Sequence, residues 1–181
     1  MKHVTKIENR SVANKVFLRK EATKHLSRLR ILDLFAANNV LWRSFEKERY
    51  YGVDIVPQKG KNLCADAKQV VRSLDLSEFN VIDCDSYEIP YEICKYLLAS
   101  GNAKNGAVVI YTAMTNIFTQ LPSSCMDDLG IREMYSIAPS LFSRNGITYF
   151  YDMLANHGVQ EIQYYDHIDH FTKHYGYFII P

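Results

Sequence analysis

The chain has 181 residues, of which 48% are hydrophobic and 13% aromatic. This content excludes a disordered protein and is sufficient for one domain with a substantial core. The net charge of +1 does not by itself indicate a nucleic-acid binder. Because no apolar stretch is long enough to span a bilayer and residues 1–6 lack a signal-peptide core, we expect a cytoplasmic protein with no membrane partner.

Basic residues are concentrated at the start of the chain. Residues 1–30 hold nine Lys or Arg against two Glu, which gives +7 there and −6 in the remainder. Such a block can neutralise the phosphates of a nucleic acid, and a solvated helix face is the alternative. We predict a basic N-terminal helical segment over residues 1–28, with its helix from about 14 to 27.

From residue 30 onward, strand-like and helix-like stretches alternate, as in α/β proteins. The predicted strands are 30–36, 50–55, 62–67 (a short strand or loop), 79–84, 106–112, 160–165 and 175–180. The predicted helices are 40–48, the stretch ending near 74, 91–99 and 145–156, whereas 113–140 is expected to be irregular and to cover the active edge. The last two strands have a short connector, so they should pair antiparallel.

Acidic residues stand at the ends of successive predicted strands. They are Asp33, Asp54, Asp66, Asp83 and Asp85. Ligands of open α/β sheets bind beyond the carboxyl ends of the strands, where a carboxylate can accept hydrogen bonds from ribose hydroxyls. For Asp85 the alternative is a cap on the following helix, which Pro90 could open.

The pattern from residue 30 to the end resembles the Rossmann-like S-adenosylmethionine-dependent methyltransferases, including their antiparallel final strands. The nearest likeness is to tRNA guanine-N2 dimethyltransferases, whose fourth-strand motif is approximately Ile-Asp-x-Asp-Pro-Phe-Gly-Ser-Pro. Residues 82–90 here are Ile-Asp-Cys-Asp-Ser-Tyr-Glu-Ile-Pro, and residues 112–115 and 174–177 are also similar to that family. The resemblance implies a methyltransferase-like domain over 29–181. Its α/β fold would be a seven-stranded, mostly parallel sheet with an antiparallel last strand and helices on both faces.

The same resemblance implies S-adenosylmethionine as cofactor, and it implies which residues bind it. These are Asp33, Phe35, Ala36, Ala37, Asn38, Asp54, Ile55, Asp66, Ala67 and Asp85. Asp54 would hold the ribose hydroxyls, and Asp66 with Ala67 would lie beside the adenine. In the catalytic loop, Asp85 would accept a hydrogen bond from an exocyclic amine and Tyr87 would stack on the base. A partly buried loop aromatic is the alternative for Tyr87.

One segment and two single residues depart from the family pattern. Ala37-Asn38-Asn39 replaces Gly-x-Gly, Ser86 replaces a proline, and Glu88 replaces a glycine. The interpretation we favour is methylation of a nucleic-acid base amine, with RNA preferred over DNA as partner. A non-catalytic binding module that retains the sheet is the main alternative. A methyltransferase for a small molecule or protein is the third, and it predicts no basic surface beside the pocket.

Two further groups of residues have the composition of a metal site or of disulfides. Asp166, His167, Asp169, His170 and His174 suggest a metal cluster, but the connector of an antiparallel strand pair is normally solvated, so we predict no metal. The four cysteines lack Cys-x-x-Cys spacing, which predicts reduced and mostly buried thiols. Trp42 is predicted to be a core residue.

Overall fold

The computed structural model of the chain describes residues 9–56, 62–115, 120–143, 145–168 and 172–181. The strands are β1 (Arg30–Asp33), β2 (Arg49–Asp54), β3 (Asn62–Cys64), β4 (Val81–Asp85), β5 (Val108–Thr115), β6 (Ile162–Ile168) and β7 (Thr172–Ile179). The helices are α1 (Asn9–Thr23), α2 (Ala67–Ser73), α3 (Tyr91–Ala99), α4 (Ser123–Asp128), α5 (Arg132–Ile137), α6 (Pro139–Ser143) and α7 (Gly146–Asn156).

The seven strands form one sheet in the order β3-β2-β1-β4-β5-β7-β6. The pairs among β1 to β5 are parallel, and β7 runs antiparallel to both β5 and β6. Residues 108–111 of β5 are all buried, as expected of a central strand that is covered on both faces. The predicted α/β fold, with its mostly parallel sheet and antiparallel last strand, is confirmed.

Alternate strand residues point to opposite faces of the sheet, and each face has its own core. One core joins Leu32, Ile82 and Val109 to apolar residues of α2, α3 and α7. The other core joins Ile31, Val81, Val108 and Ile110 to Leu18 and Ala22 of α1 and to Trp42. We call this second side the α1 face, and it contains the buried charges described below.

Local sequence explains where helices α2 and α3 begin or end. Asp66 caps α2 because its Oδ1 accepts hydrogen bonds from the N–H groups of Lys68 and Gln69, at 2.7 and 3.2 Å. Helix α3 ends before Gly101, whose φ of 67° suits a residue without a side chain. The predicted bounds of α3 agree with the structure, and those of α7 differ by one residue.

The prediction of a helix over residues 40–48 is wrong, because this segment forms successive turns. The N–H groups of Arg43 and Phe45 bond to carbonyls three residues earlier, not four. Lys47 donates from Nζ to the carbonyls of Trp42 and Phe45, at 2.8 and 3.2 Å, and so competes for acceptors that a helix would use. Trp42 is fully buried, as predicted, and its burial fixes the path of the turns.

The prediction of an irregular stretch over 113–140 is also wrong. Strand β5 continues to Thr115 through pairing with β7, and three short helices, α4 to α6, follow. Leu121, Cys125 and Ile131 are buried in the core shared with α3, so long-range packing stabilises this segment. Within it, residues 116–119 lie outside the described residues.

Helix α1 begins and ends earlier than predicted, and it packs on strands β5 and β7. It ends at Thr23, whose Oγ1 donates to the carbonyl of Arg19 and whose carbonyl accepts from the N–H of Leu26. The division of the chain after residue 28 into a basic segment and a methyltransferase-like domain stays a prediction.

The described residues bear on the expectations for thiols, metal sites and membrane spans. Cys84, Cys94 and Cys125 are buried thiols and Cys64 is exposed, which confirms that most thiols are buried. In the described part of the chain, no three His, Cys, Asp or Glu residues form a metal-binding group, although Asp169 and His170 lie outside it. None of the described helices has the length and apolar character needed to cross a membrane.

Candidate active site

Parallel pairing of β1 and β4 places three acidic side chains side by side on the α1 face. Asp33 and Asp83 are direct partners in the register, and Asp85 follows on the same face two residues later. Asp33 and Asp83 are 4% and 0% exposed, and the side chain of Asp85 is 10% exposed. Three carboxylates this deeply buried require compensating charges or protons.

Helix α1 supplies two cations with the matching spacing. Residues four apart on a helix are separated by about 6 Å along its axis, and residues two apart on a strand by about 6.6 Å. Arg19 donates from Nε and Nη2 to the two oxygens of Asp83, both at 2.8 Å. One turn earlier, Lys15 donates from Nζ to both oxygens of Asp85, at 2.6 and 2.7 Å. The helix therefore runs antiparallel to β4, and one turn of the helix and two residues of the strand separate the two ion pairs.

Neutral donors complete the network. The indole Nε1 of Trp42 donates to Oδ2 of Asp83 at 2.6 Å, and the hydroxyl of Tyr50 donates to Oδ2 of Asp33 at 2.8 Å. The N–H of Phe35 donates to the other oxygen of Asp33 at 3.2 Å. Each of the three carboxylates thus has at least two hydrogen bonds, which buried polar groups generally need.

The pKa directions indicate how charge is balanced. Burial and the neighbouring charge of Asp83 raise the pKa of Asp33 from 3.8 to about 8, so near neutral pH this carboxyl is largely protonated. Burial also raises the pKa of Asp83, while Arg19 opposes that rise. For Asp85 burial is outweighed by Lys15 and Arg19, which lower its pKa. Because Arg19 binds both oxygens of Asp83 and Lys15 binds both oxygens of Asp85, the two cations balance these two carboxylates, and Asp33 holds a proton.

The loop after β1 has a left-handed backbone at two alternate positions. Ala37 has φ of 38° and Asn39 has φ of 54°, a conformation that glycine adopts without strain. The N–H of Ala37 donates to Oδ2 of Asp54 at 2.8 Å, and the N–H of Val56 donates to its Oδ1 at the same distance. Oδ1 of Asn39 is buried and has no hydrogen-bond partner among the described residues. Without glycine, the loop retains the local geometry that Gly-x-Gly would allow.

The segment after β4 is held by Ser86. Its hydroxyl, 7% exposed, donates to the carbonyl of Glu88 at 2.6 Å and lies 3.3 Å from the carbonyl of Thr112. These contacts fix the loop at the position where the family motif has proline. Tyr87, the next residue, is 71% exposed and is available to contact a ligand.

The other predicted site residues lie around the carboxyl ends of β1 to β3. Phe35 is half-buried, Ala36 is buried, and Asn38 is exposed with its carbonyl accepting from Arg43. Ile55 is exposed beside Asp54. Asp66 and Ala67 occupy the cap and first residue of α2. The structure therefore gathers the predicted residues at one sheet edge.

Sequence reasoning missed four residues of this site: Lys15, Arg19, Trp42 and Tyr50. Lys15 and Arg19 belong to the basic N-terminal segment, which we interpret from the sequence either as a contact for phosphates or as a solvated helix face. The available signal was the spacing, because Lys15 and Arg19 are four apart on a predicted helix and Asp83 and Asp85 are two apart on a predicted strand. Nothing in the sequence placed Trp42 or Tyr50 against these particular carboxylates.

The strand order, the antiparallel seventh strand and the loop after β1 define the Rossmann-like fold of S-adenosylmethionine-dependent methyltransferases. No protein-family model and no curated protein matches the sequence. Solved structures show the likeness at the level of fold.

A possible exported protein from Bordetella parapertussis is 10% identical, with a TM-score of 0.59 over 93% of this chain and 67% of that one. Trm1 from Pyrococcus horikoshii, solved with S-adenosyl-L-methionine, is 14% identical, with a TM-score of 0.56 over 94% of this chain and 55% of that one. A SAM-dependent methyltransferase from Archaeoglobus fulgidus is 14% identical, with a TM-score of 0.55 over 87% and 72%. This chain thus spans little more than half of the Trm1 chain.

Replacing Arg19 by Met should lower the free energy of unfolding by roughly 3–5 kcal/mol, because it leaves the buried Asp83 carboxylate without its cation. Urea denaturation measures this change. The control is Lys20→Met, which alters the exposed neighbouring residue and should change stability by no more than about 0.5 kcal/mol. Equal effects of the two substitutions would contradict the proposed charge network.

Replacing Asp33 by Asn should flatten the dependence of stability on pH. Because the folded-state pKa of Asp33 is above its unfolded value, the native state keeps a proton that the unfolded state has lost between about pH 4 and pH 8. Its contribution is fully present below pH 4 and is lost as the pH rises through 8. Urea denaturation across this range should give a shallower decline for Asp33→Asn than for the wild type, and an unchanged slope would refute the assignment.

Replacing Ala37 by Gly should leave stability unchanged or raise it by up to about 1 kcal/mol, because relief of the left-handed strain exceeds the entropy that glycine adds to the unfolded chain. Ala36→Gly is the matched control. Ala36 is buried and its φ is not positive, so that substitution should cost roughly 1–2 kcal/mol. Thermal and urea denaturation of both variants would decide, and a larger loss at Ala37 than at Ala36 would be inconsistent with the observed loop.

Proposed function

We propose that the chain is an S-adenosylmethionine-dependent methyltransferase that modifies an exocyclic amine of a nucleic-acid base, with RNA favoured over DNA. The observation that carries this proposal is the left-handed backbone at Ala37 and Asn39 in the loop fixed by Asp54. Strained backbone in a non-glycine loop is concentrated at functional sites in proteins. Here it lies at the sheet edge where ligands of this fold class bind.

The residues at this edge fit the chemistry of the cofactor. When bound, S-adenosylmethionine supplies an electrophilic methyl group on a sulfonium. Asp54 has further lone pairs for ribose hydroxyls beyond the two backbone bonds it accepts, and exposed Ile55 offers an apolar contact for the adenine. The buried Oδ1 of Asn39, which has no partner in the described part of the chain, is an acceptor that the ammonium of the methionine end could satisfy.

The acceptor base would bind at the loop after β4. Asp85 is ionised, so it can accept a hydrogen bond from the amine and orient the nitrogen toward the methyl group. Tyr87 is exposed and can stack on a base taken out of its helix. The resemblance of residues 82–90 to the tRNA guanine-N2 dimethyltransferases and the fold likeness to Trm1 support a nucleic-acid acceptor.

One observation favours a second candidate, a non-catalytic binding module. Lys15 donates to both oxygens of Asp85, so the carboxylate assigned to the amine already has a partner. A binding module without methyltransferase activity would not have to break this ion pair. Measurement of cofactor binding separates the two candidates.

Calorimetric titration with S-adenosylmethionine and S-adenosylhomocysteine should show saturable binding. Asp54→Asn should raise both Kd values about tenfold, because the amide nitrogen cannot accept a hydrogen bond from the N–H of Ala37 or from a ribose hydroxyl. The control is Asp75→Asn at an exposed turn, where Oδ1 accepts an N–H two residues later at 2.9 Å, as it does in Asp54. That substitution should leave both Kd values unchanged.

Methyl transfer from labelled cofactor to unmodified tRNA and to single-stranded DNA should then identify the acceptor, with tRNA labelled faster. Cofactor binding without transfer to either polymer would oppose the nucleic-acid assignment. Oligonucleotide binding without any detectable cofactor binding would instead establish the binding-module candidate.

A further inference from the structure

The Lys15–Asp85 ion pair occupies the carboxylate that the acceptor amine needs. We propose that Lys15 is a specificity-determining residue that reserves Asp85 for acceptors carrying phosphodiester groups. A phosphate of the acceptor draws Nζ of Lys15 away, and the freed carboxylate then accepts from the base amine. This inference rests on the proposed function, because it assigns Asp85 to the amine, and it adds that Lys15 is the residue that discriminates against free nucleosides.

Solvent exposure distinguishes this ion pair from the one beside it. The side chains of Lys15 and Asp85 are 19% and 10% exposed, whereas those of Arg19 and Asp83 are each 1% exposed. The Lys15–Asp85 pair is therefore partly open to solvent and its ions, whereas the Arg19–Asp83 pair is excluded from them. Partly exposed pairs are also held more weakly than pairs excluded from water, so Lys15 is the cation able to exchange partners.

Release of Lys15 does not leave Asp85 without a cation. Nη2 of Arg19 lies 3.7 Å from Oδ2 of Asp85, and Arg19 is held in place by its two bonds to Asp83. Removing the only partner of a buried charge is strongly destabilising, and the nearby guanidinium reduces that cost here. The exchange also replaces a lysine–carboxylate pair by a lysine–phosphate pair, so the number of paired charges is conserved.

The backbone of α1 need not move during the exchange. Nη1 of Arg19 donates to the carbonyl of Lys15 at 2.9 Å, and Leu18 and Ala22 are buried against the sheet. Both contacts hold the helical turn that carries Lys15. Only the flexible four-carbon stem of Lys15 has to rotate, and side chains near the surface do this rapidly.

The consequence is discrimination by phosphate content. A free nucleoside presents the amine but nothing to attract the ammonium of Lys15, so it has to compete with that ammonium for Asp85. An oligonucleotide brings both groups, and each phosphate contact gains further from release of counterions. The wild-type chain should therefore favour oligonucleotides over nucleosides by a larger factor than nonspecific binding of the phosphate backbone alone would give.

The first test follows Asp85 itself and does not depend on methyl transfer. Carboxyl carbon NMR, with the Asp85 signal assigned through Asp85→Asn, reports its titration with and without an abasic phosphodiester oligomer, which cannot be a substrate. The oligomer should raise the pKa of Asp85, which Lys15 and Arg19 hold low, toward the value in Lys15→Met. In Lys15→Met the pKa should already be raised and should not respond further.

Lys95→Met is the matched control, because Lys95 donates to both oxygens of Asp128 at 2.6 and 2.7 Å on α3, which packs on the other face of the sheet. It should respond to the oligomer as the wild type does. The proposal is overturned if the oligomer leaves the Asp85 titration of the wild type unchanged, if it does not bind, or if Lys15→Met responds equally.

The second test compares methyl transfer to a guanine-containing oligonucleotide and to guanosine. The ratio of the two kcat/KM values should fall about tenfold in Lys15→Met, through a gain on guanosine, and should be unchanged in Lys95→Met. An unchanged ratio with active enzyme overturns the role of Lys15 while the proposed function stands. If no variant methylates either acceptor, the proposed function fails, and so does a role for Lys15 in specificity, whatever the NMR titration shows.

Discussion

The matched spacing of two cations on α1 and two carboxylates on β4 is the constraint on which the site depends. A sheet with Asp33, Asp83 and Asp85 buried on one face would be unstable if all three carried unpaired charges. One helical turn supplies Arg19 and Lys15 at the spacing of β4, and Asp33 keeps a proton. Because a shift of α1 by one turn in either direction would leave one of the two β4 carboxylates without a cation, the charges fix the position of the helix as well as its presence.

The same network accounts for the unusual connection between β1 and β2. Oδ2 of Asp83 accepts from Nε of Arg19 and also from the indole of Trp42, which draws residues 40–48 onto the α1 face. These residues form turns, so in the described chain the helical cover of this face comes from α1. Helix α1 therefore contributes to the core through Leu18 and Ala22 and to the site through its cations.

These contacts also explain which sequence predictions succeeded. Strands β4 and β5 and helices α3 and α7 are determined by local apolar patterns, which a single sequence displays. The turns at 40–48 and helices α4 to α6 depend on distant partners, such as Asp83 for Trp42 and the α3 core for Cys125. In the site, the position of the acids at strand ends could be predicted from the order of strands and helices. The pairing of Lys15 with Asp85 and of Arg19 with Asp83 could not, because it depends on how α1 is aligned with the sheet.

The loop after β1 has the left-handed backbone that glycine adopts easily, but the residues that adopt it are not glycine. The backbone needs left-handed residues at two alternate positions; Ala37 adopts this conformation at a cost of roughly 1–2 kcal/mol, and Asn39 at a smaller cost because asparagine tolerates it better. The hydrogen bonds from Ala37 to Asp54 and from Asn39 to the carbonyl of Ala36 oppose relaxation. In return, Asn39 contributes a buried acceptor that glycine lacks. Such strain, together with an acceptor that has no partner among the described residues, lies at the sheet edge where ligands of this fold class bind, and the proposed cofactor site accounts for both.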